Sequence, residues 1–295
     1  MRKASLIVLL ILNITLSHSQ ENKDTIPKKN WERKGRFTLL FNQSAFSNWR
    51  AGGENTLAGN VSVNYKFNYA KGNTTWKNNI ISSYGITKSK NTEFEKKTDD
   101  RFEFNSLLGI NADNYWYYSI LFNFKTQFAK GYKYGKDPNG KEIRTEYTNF
   151  FSPATFLLGP GMLWEKNENF KFNIAPATTK LVIVDKKFTS EDNYIDGKYF
   201  GVEEGESTRL ELGFSATGYL KFDLMENITM ENTVAIYSNY LEDTKNLDLD
   251  YTLNIFMKIN KYFTTNLIFQ TIYDDNAYEG FQLREVFGFG FKYDF

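Results

Sequence analysis

The chain closes on FGFGFKYDF, in which a ring stands at every second position: Phe287, Phe289, Phe291, Tyr293 and Phe295. Strand side chains point alternately to two faces, so this segment has one wholly aromatic face. Its other face carries Gly288, Gly290, Lys292 and Asp294. A soluble sandwich would turn the aromatic face inward, and a membrane barrel would turn it to lipid.

The same period recurs along the chain. Leu57, Val61, Val63, Tyr65, Phe67 and Tyr69 share one face, opposite Asn60, Ser62, Asn64, Lys66 and Asn68. Leu247, Leu249, Tyr251, Leu253, Ile255, Met257 and Ile259 alternate with Asp248, Asp250, Thr252, Asn254, Phe256, Lys258 and Asn260. No helical period of any length interrupts this pattern beyond the first residues.

The connections alternate in length. Short ones fall at Lys71-Gly72-Asn73, Asp113-Asn114, Lys166 to Asn169, Glu226-Asn227 and Asn260-Lys261. Long ones fall at Ser47 to Gly53, Ser89 to Lys97, Gly131 to Tyr147, Asp185 to Glu206, Leu241 to Asn246 and Asp274 to Gly280. Tight turns at one end and long loops at the other are the bookkeeping of an outer-membrane barrel. Aromatics crowd the short turns, among them Tyr69, Trp76, Tyr115 to Tyr118, Trp164, Tyr262 and Phe263, as an interfacial girdle would. The expected fold is all-β: a transmembrane antiparallel up-and-down β-barrel of about 12 strands. Pro153, Pro160 and Pro176 fall in the two strands around Lys166 to Asn169, where bulges are the expected explanation.

The first residues read as an export signal. Arg2 and Lys3 precede an apolar run from Leu6 to Ile14, and Ser17 and Ser19 offer a small-x-small cleavage site. The expected organisation is a signal peptide over residues 1–19, a short polar tail over 20–34 and a barrel over 35–295. The expected location is the cell outer membrane. There, lipid and lipopolysaccharide, the barrel assembly machinery and envelope proteins are the expected partners.

Composition closes several routes. The chain has 295 residues with a formal net charge of +1, so no basic excess points to nucleic acid. It has no cysteine, and its one histidine is His18, inside the signal segment. Histidine-dependent acid–base chemistry and cysteine-ligated metals are therefore not expected in the mature chain. No catalytic residue, metal ligand or cofactor is assigned, although carboxylate chemistry stays open as a distant alternative.

Three groups of residues are singled out. The inward face carries charges of both signs, including Lys66, Arg101, Glu103, Arg209, Glu211, Lys258, Arg284, Lys292 and Asp294. Such a mixture suits a salt-bridged interior or a narrow, weakly selective pore. At the C-terminus, Gly290, Tyr293 and Phe295 fit the pattern by which outer-membrane assembly machinery recognises a closing strand, with Gly288 a mild departure. In SNWRAGGENTLAGN, an external loop motif carries Trp49, Arg50, Gly52, Gly53 and Glu54; a well-specified hairpin turn is the simpler reading of the glycine pair.

SNWRAGGEN, KTDDRFEFNSLLG, WYYSILFNFKTQF, FSPA and GFGFKY together resemble a domain-of-unknown-function family of Bacteroidota outer-membrane barrels. That resemblance implies the fold and the location and assigns no activity. The expected role is a structural or accessory barrel that presents outer loops to envelope partners, as in an assembly or secretion complex. The alternative is a narrow pore for small polar solutes.

Deleting Tyr293 to Phe295 removes the closing strand's end and part of the girdle, whereas deleting Glu21 to Lys28 trims a polar tail. The first deletion is expected to abolish membrane insertion and the second to leave it intact, measured by membrane fractionation. Normal insertion of the C-terminal deletion would refute the assembly role.

Overall fold

A computed structural model describes residues 30–47, 50, 53–190, 199–242 and 244–295. The signal segment with His18, most of the polar tail, Trp49 and Gly52 lie outside the described residues. The described residues form fourteen strands: β1 (Trp31–Ser44), β2 (Thr56–Lys71), β3 (Thr74–Ser89), β4 (Lys96–Asp113), β5 (Trp116–Thr126), β6 (Gly131–Lys136), β7 (Glu142–Thr148), β8 (Ala154–Asn167), β9 (Phe170–Ile183), β10 (Thr208–Met225), β11 (Ile228–Asn239), β12 (Asp248–Lys258), β13 (Phe263–Asp274) and β14 (Tyr278–Asp294). Twelve of them form a closed antiparallel barrel in which chain neighbours pair, except that β5 pairs with β8. Strands β6 and β7 form a separate two-stranded sheet.

That sheet departs from the sequence reading, which treats Gly131 to Tyr147 as one long loop. A tight turn explains it: the Asp137 side chain accepts from the Asn139 and Lys141 amides, and Gly140 takes φ 81°. The short turns at the other end use residues that tolerate positive φ, namely Gly72 at 56°, Asn114 at 45° and Asn227 at 64°.

Strand β1 starts at Trp31, ahead of the Gly35 at which the sequence reading enters the barrel. Trp31 to Lys34 pair with β2 alone, because β14 meets β1 only from Phe289↔Phe41 to Asp294↔Arg36. One further backbone exchange joins Gly35 and Phe295, with Gly35 N donating at 2.6 Å and Phe295 N at 2.9 Å. Pro160 and Pro176 sit at a bulge, where the β8–β9 register slips between Leu158 and Met162. Pro153 precedes β8 and follows a cis peptide bond.

The outward face is apolar and bare. On β14 and the residue after it, Phe281, Leu283, Phe287, Phe289, Phe291, Tyr293 and Phe295 are exposed, and Leu210, Tyr118 and Ile120 continue the belt elsewhere. Contiguous apolar surface of that extent is a lipid-contact surface. At the short-turn end Trp31 packs on Tyr69 and Trp76, Tyr115 on Trp164, and Tyr262 on Phe291. The inward face is polar: Asn60, Asn173, Thr178, Thr264 and Asn266 are buried within it.

Gly290 makes closure possible. A Cβ at that position would sit on the Leu39 carbonyl oxygen of β1, whereas a Cβ at Gly59 meets nothing. Gly290→Ala is expected to lower or abolish the fraction of protein that migrates as a compact, heat-modifiable band in detergent, while Gly59→Ala leaves it unchanged. Equal mobility shifts for the two variants would show that the close approach is not what seals the ring.

Candidate functional site

The lumen holds the chain's buried charge. At the long-loop mouth, Lys180 on β9 reaches Asp248 on β12 at 2.9 Å and Glu211 on β10 at 3.6 Å, and lies 4.9 Å from the Tyr237 ring. Glu211 also accepts from Arg209 at 2.7 Å, and Arg209 reaches Glu242 and the Gly201 carbonyl. Glu211, Glu242, Asp248 and Asp275 line a cavity of about 90 Å³ here. Among the described residues, Asp248, Asp274 and Asp275 are grouped closely enough to hold a cation, with carboxylate oxygens within 4.8 Å of one another. The Lys180 ammonium already supplies positive charge to that group.

One level deeper, pairs cross the ring. Lys125 on β5 meets Asp250 on β12 at 2.8 Å, five strands away in the barrel order. Arg284 on β14 meets Asp99 on β4 at 2.7 Å, four strands away. Gln270 donates to Asp250 at 2.8 Å, and Asn60 donates to Asp99 at 2.9 Å. Arg101 donates to Glu103 at 2.7 Å, and Glu103 also accepts from Asn105 and Asn123. Buried charge is tolerated only when paired and hydrogen-bonded, and every carboxylate named here is both.

The short-turn half differs. Lys77 pairs with Glu165 across the interior. Lys66 on β2 and Lys171 on β9 both lie over the Tyr219 ring, at 5.9 and 5.2 Å, and neither makes a salt bridge among the described residues. Lys66 and Tyr219 sit on opposite walls, six strands apart. Nearer the rim, Arg36 donates to Asp294 at 2.6 Å, Lys292 to the same carboxylate at 3.2 Å, and Lys221 meets Glu231 at 3.4 Å. Lys258 makes no ion pair among the described residues, so it and Asp294 do not join one network.

A stretch of the chain, residues 41–132, matches a family model described as "Protein of unknown function (DUF3078)". Comparison with curated proteins gives no match. Among solved structures, the translocator domain of autotransporter NalP from Neisseria meningitidis is 10% identical with a TM-score of 0.37, covering 100% of this chain and 96% of that one. The beta domain of the Bordetella autotransporter BrkA is 9% identical with a TM-score of 0.34, covering 90% and 99%. The NanC porin is 10% identical with a TM-score of 0.34, covering 88% and 97%.

The long-loop end carries an ordered cap. Phe188, Tyr199 and Val202 bury themselves against Val182 and Val184, with Tyr147 of β7 packed on them. Tyr199 donates to the Tyr147 carbonyl at 2.8 Å and lies 3.3 Å from Ser152 Oγ, which accepts from the Asp185 amide at 2.8 Å. Burial raises the Tyr199 hydroxyl pKa. Glu146 accepts from Lys130 at 2.7 Å and from Lys187 at 2.6 Å, and these two cations hold its carboxyl below the ordinary range. Of the external loop motif, Glu54 accepts from the Asn91 amide at 3.0 Å, Gly53 takes φ 151°, and Arg50 is exposed. Tyr293 and Phe295 stack on each other at the opposite end. The carboxylates Asp99, Asp248 and Asp250 are missing from the set the sequence singles out because they lie beside predicted loops.

A double-mutant cycle on Asp99→Asn and Arg284→Gln is expected to show a coupling energy of about 0.5–3 kcal/mol in urea unfolding in detergent. Additive effects would mean that the pair does not act across the lumen.

Proposed function

We propose that this chain is an exported outer-membrane barrel of the Bacteroidota unknown-function family, and that it works as an accessory barrel. Its short turns face the periplasm, and its cap presents an ordered surface to envelope partners outside. The carrying observation is the set of ion pairs that cross the lumen, Lys125–Asp250 and Arg284–Asp99. Eight-stranded barrels are filled by side chains and sixteen-stranded ones leave a channel, so side-chain identity decides the matter at twelve strands. Here long side chains of opposite sign meet across the interior. The cap supports the reading as well, since a hydrophobic cluster of Val182, Val184, Phe188, Tyr199 and Val202 outside lipid gives a partner a packed surface to meet. No hydrolytic role is assigned, because the barrel strands carry no histidine or cysteine to act as proton shuttle or thiol nucleophile.

One observation favours the narrow pore instead. Cations gather in the short-turn half of the lumen and carboxylates at the long-loop mouth, an axial separation that would act on a passing ion. Planar-bilayer recordings distinguish the two roles. Conductance is expected to be absent or far below that of an open porin, and to rise when Lys125→Ala and Arg284→Ala are combined. Large, stable steps from the wild-type protein would overturn the accessory reading in favour of the pore.

A further inference from the structure

We propose that the short-turn half of the lumen is a binding site for a small dianionic oxyanion of the phosphate class. A cavity of about 120 Å³ lies there, lined by Arg36, Lys221, Glu231, Lys258, Thr264 and Lys292. These residues come from six strands that are consecutive in the ring, β10, β11, β12, β13, β14 and β1. Half the barrel wall therefore forms a concave cup, with nearly every strand supplying a donor. Neighbouring walls are in register at three points, where Lys221 pairs with Glu231, Lys258 with Thr264, and Lys292 with Thr38.

Charge in the cup is unbalanced. Four cations face one wall carboxylate, Glu231, and one at the rim, Asp294, whose side chain is half exposed. Asp223 at the turn is engaged by the Thr229 hydroxyl at 2.7 Å. Lys258 has no carboxylate within salt-bridge distance among the described residues. On the flanking strands β2 and β9, Lys66 and Lys171 lie over one tyrosine ring and make no salt bridge among the described residues, with Glu168, Glu165 and Glu231 acting on them only at longer range. A tyrosine face offsets only part of an ammonium's charge. In the long-loop half the buried cations Lys180, Arg101 and Arg209 each have a carboxylate, whereas Lys258 is exposed and unpaired among the described residues, so the excess here is open to the negative charge of a ligand.

The ligand's class follows from the donors. Arg36 offers a planar fork and three lysines converge with it, as suits a tetrahedral oxyanion better than a halide, while the Thr264 hydroxyl is already donated to the Asn266 side chain at 2.8 Å. The cavity is far smaller than a drug-sized pocket, so it takes one small charged group. The donors point inward, away from the lipid belt, so the anion arrives from water at the short-turn mouth. Occupancy of this cup does not depend on whether the barrel conducts.

The test is calorimetric titration of inorganic phosphate into the full barrel, purified in an uncharged detergent, with chloride as the control anion. Saturable binding with one site is expected for phosphate and none for chloride at equal ionic strength. Lys258→Gln with Lys292→Gln is expected to weaken phosphate binding by about tenfold or more, with the compact heat-modifiable band retained. Glu231→Gln removes the wall carboxylate and is expected to tighten binding, a gain that misfolding cannot produce. Absence of saturable phosphate binding by the folded wild-type barrel overturns the proposal. So does a Glu231→Gln protein that binds no more tightly than wild type.

Discussion

Lipid offers a backbone no hydrogen bonds, and the rest of this structure answers to that. Each unsatisfied amide or carbonyl in hydrocarbon costs several kcal/mol, so a sheet can cross only by closing on itself. Closure here rests on β14 meeting β1, and that contact rests on Gly290, where the two backbones approach too closely for any side chain. Once the ring is closed, alternation assigns every residue to lipid or lumen. The aromatic face of the last strand then becomes part of the belt, and its Lys292 and Asp294 become lumen charges.

The lumen faces the opposite constraint. Its side chains are shielded from bulk water by the wall, so charge placed there must find charge or strong donors. The long-loop half meets this internally, with Lys180, Arg209, Lys125, Arg101 and Arg284 each held by carboxylates. The short-turn half does so only in part, and a net charge of +1 over the whole chain conceals the difference. Two regions of opposite excess, stacked along one axis, give the interior a direction that a tally of its residues lacks.

The strand pattern and the placing of the turns were legible because both follow from local rules, the two-residue period and the positive-φ residues at Gly72, Asn114 and Asn227. The proline bulge was legible for the same reason. What alternation cannot supply is position around the ring. It assigns Arg284 to the inside and is silent on Asp99 as its partner, because those strands are far apart in the chain. Nor does it show that Lys258 lacks a carboxylate. The β6–β7 sheet escaped because its strands are short and weakly patterned, and the turn through Asp137 and Gly140 was the one signal that pointed to it.

The ring is not mechanically uniform. Six register pairs close the β1–β14 seam, whereas the β11–β12 and β12–β13 seams each carry ten. Above Phe41 the β1 strand parts from β14, and the Asn42 side chain bridges to the Phe287 carbonyl at 3.3 Å where a backbone ladder would otherwise run. Under heat or pulling force the wall would therefore part along this line first, unzipping from the long-loop rim towards the aromatic girdle. The last bonds to yield would be those between Gly35 and Phe295, so the end of the chain acts as the clasp of the whole cylinder.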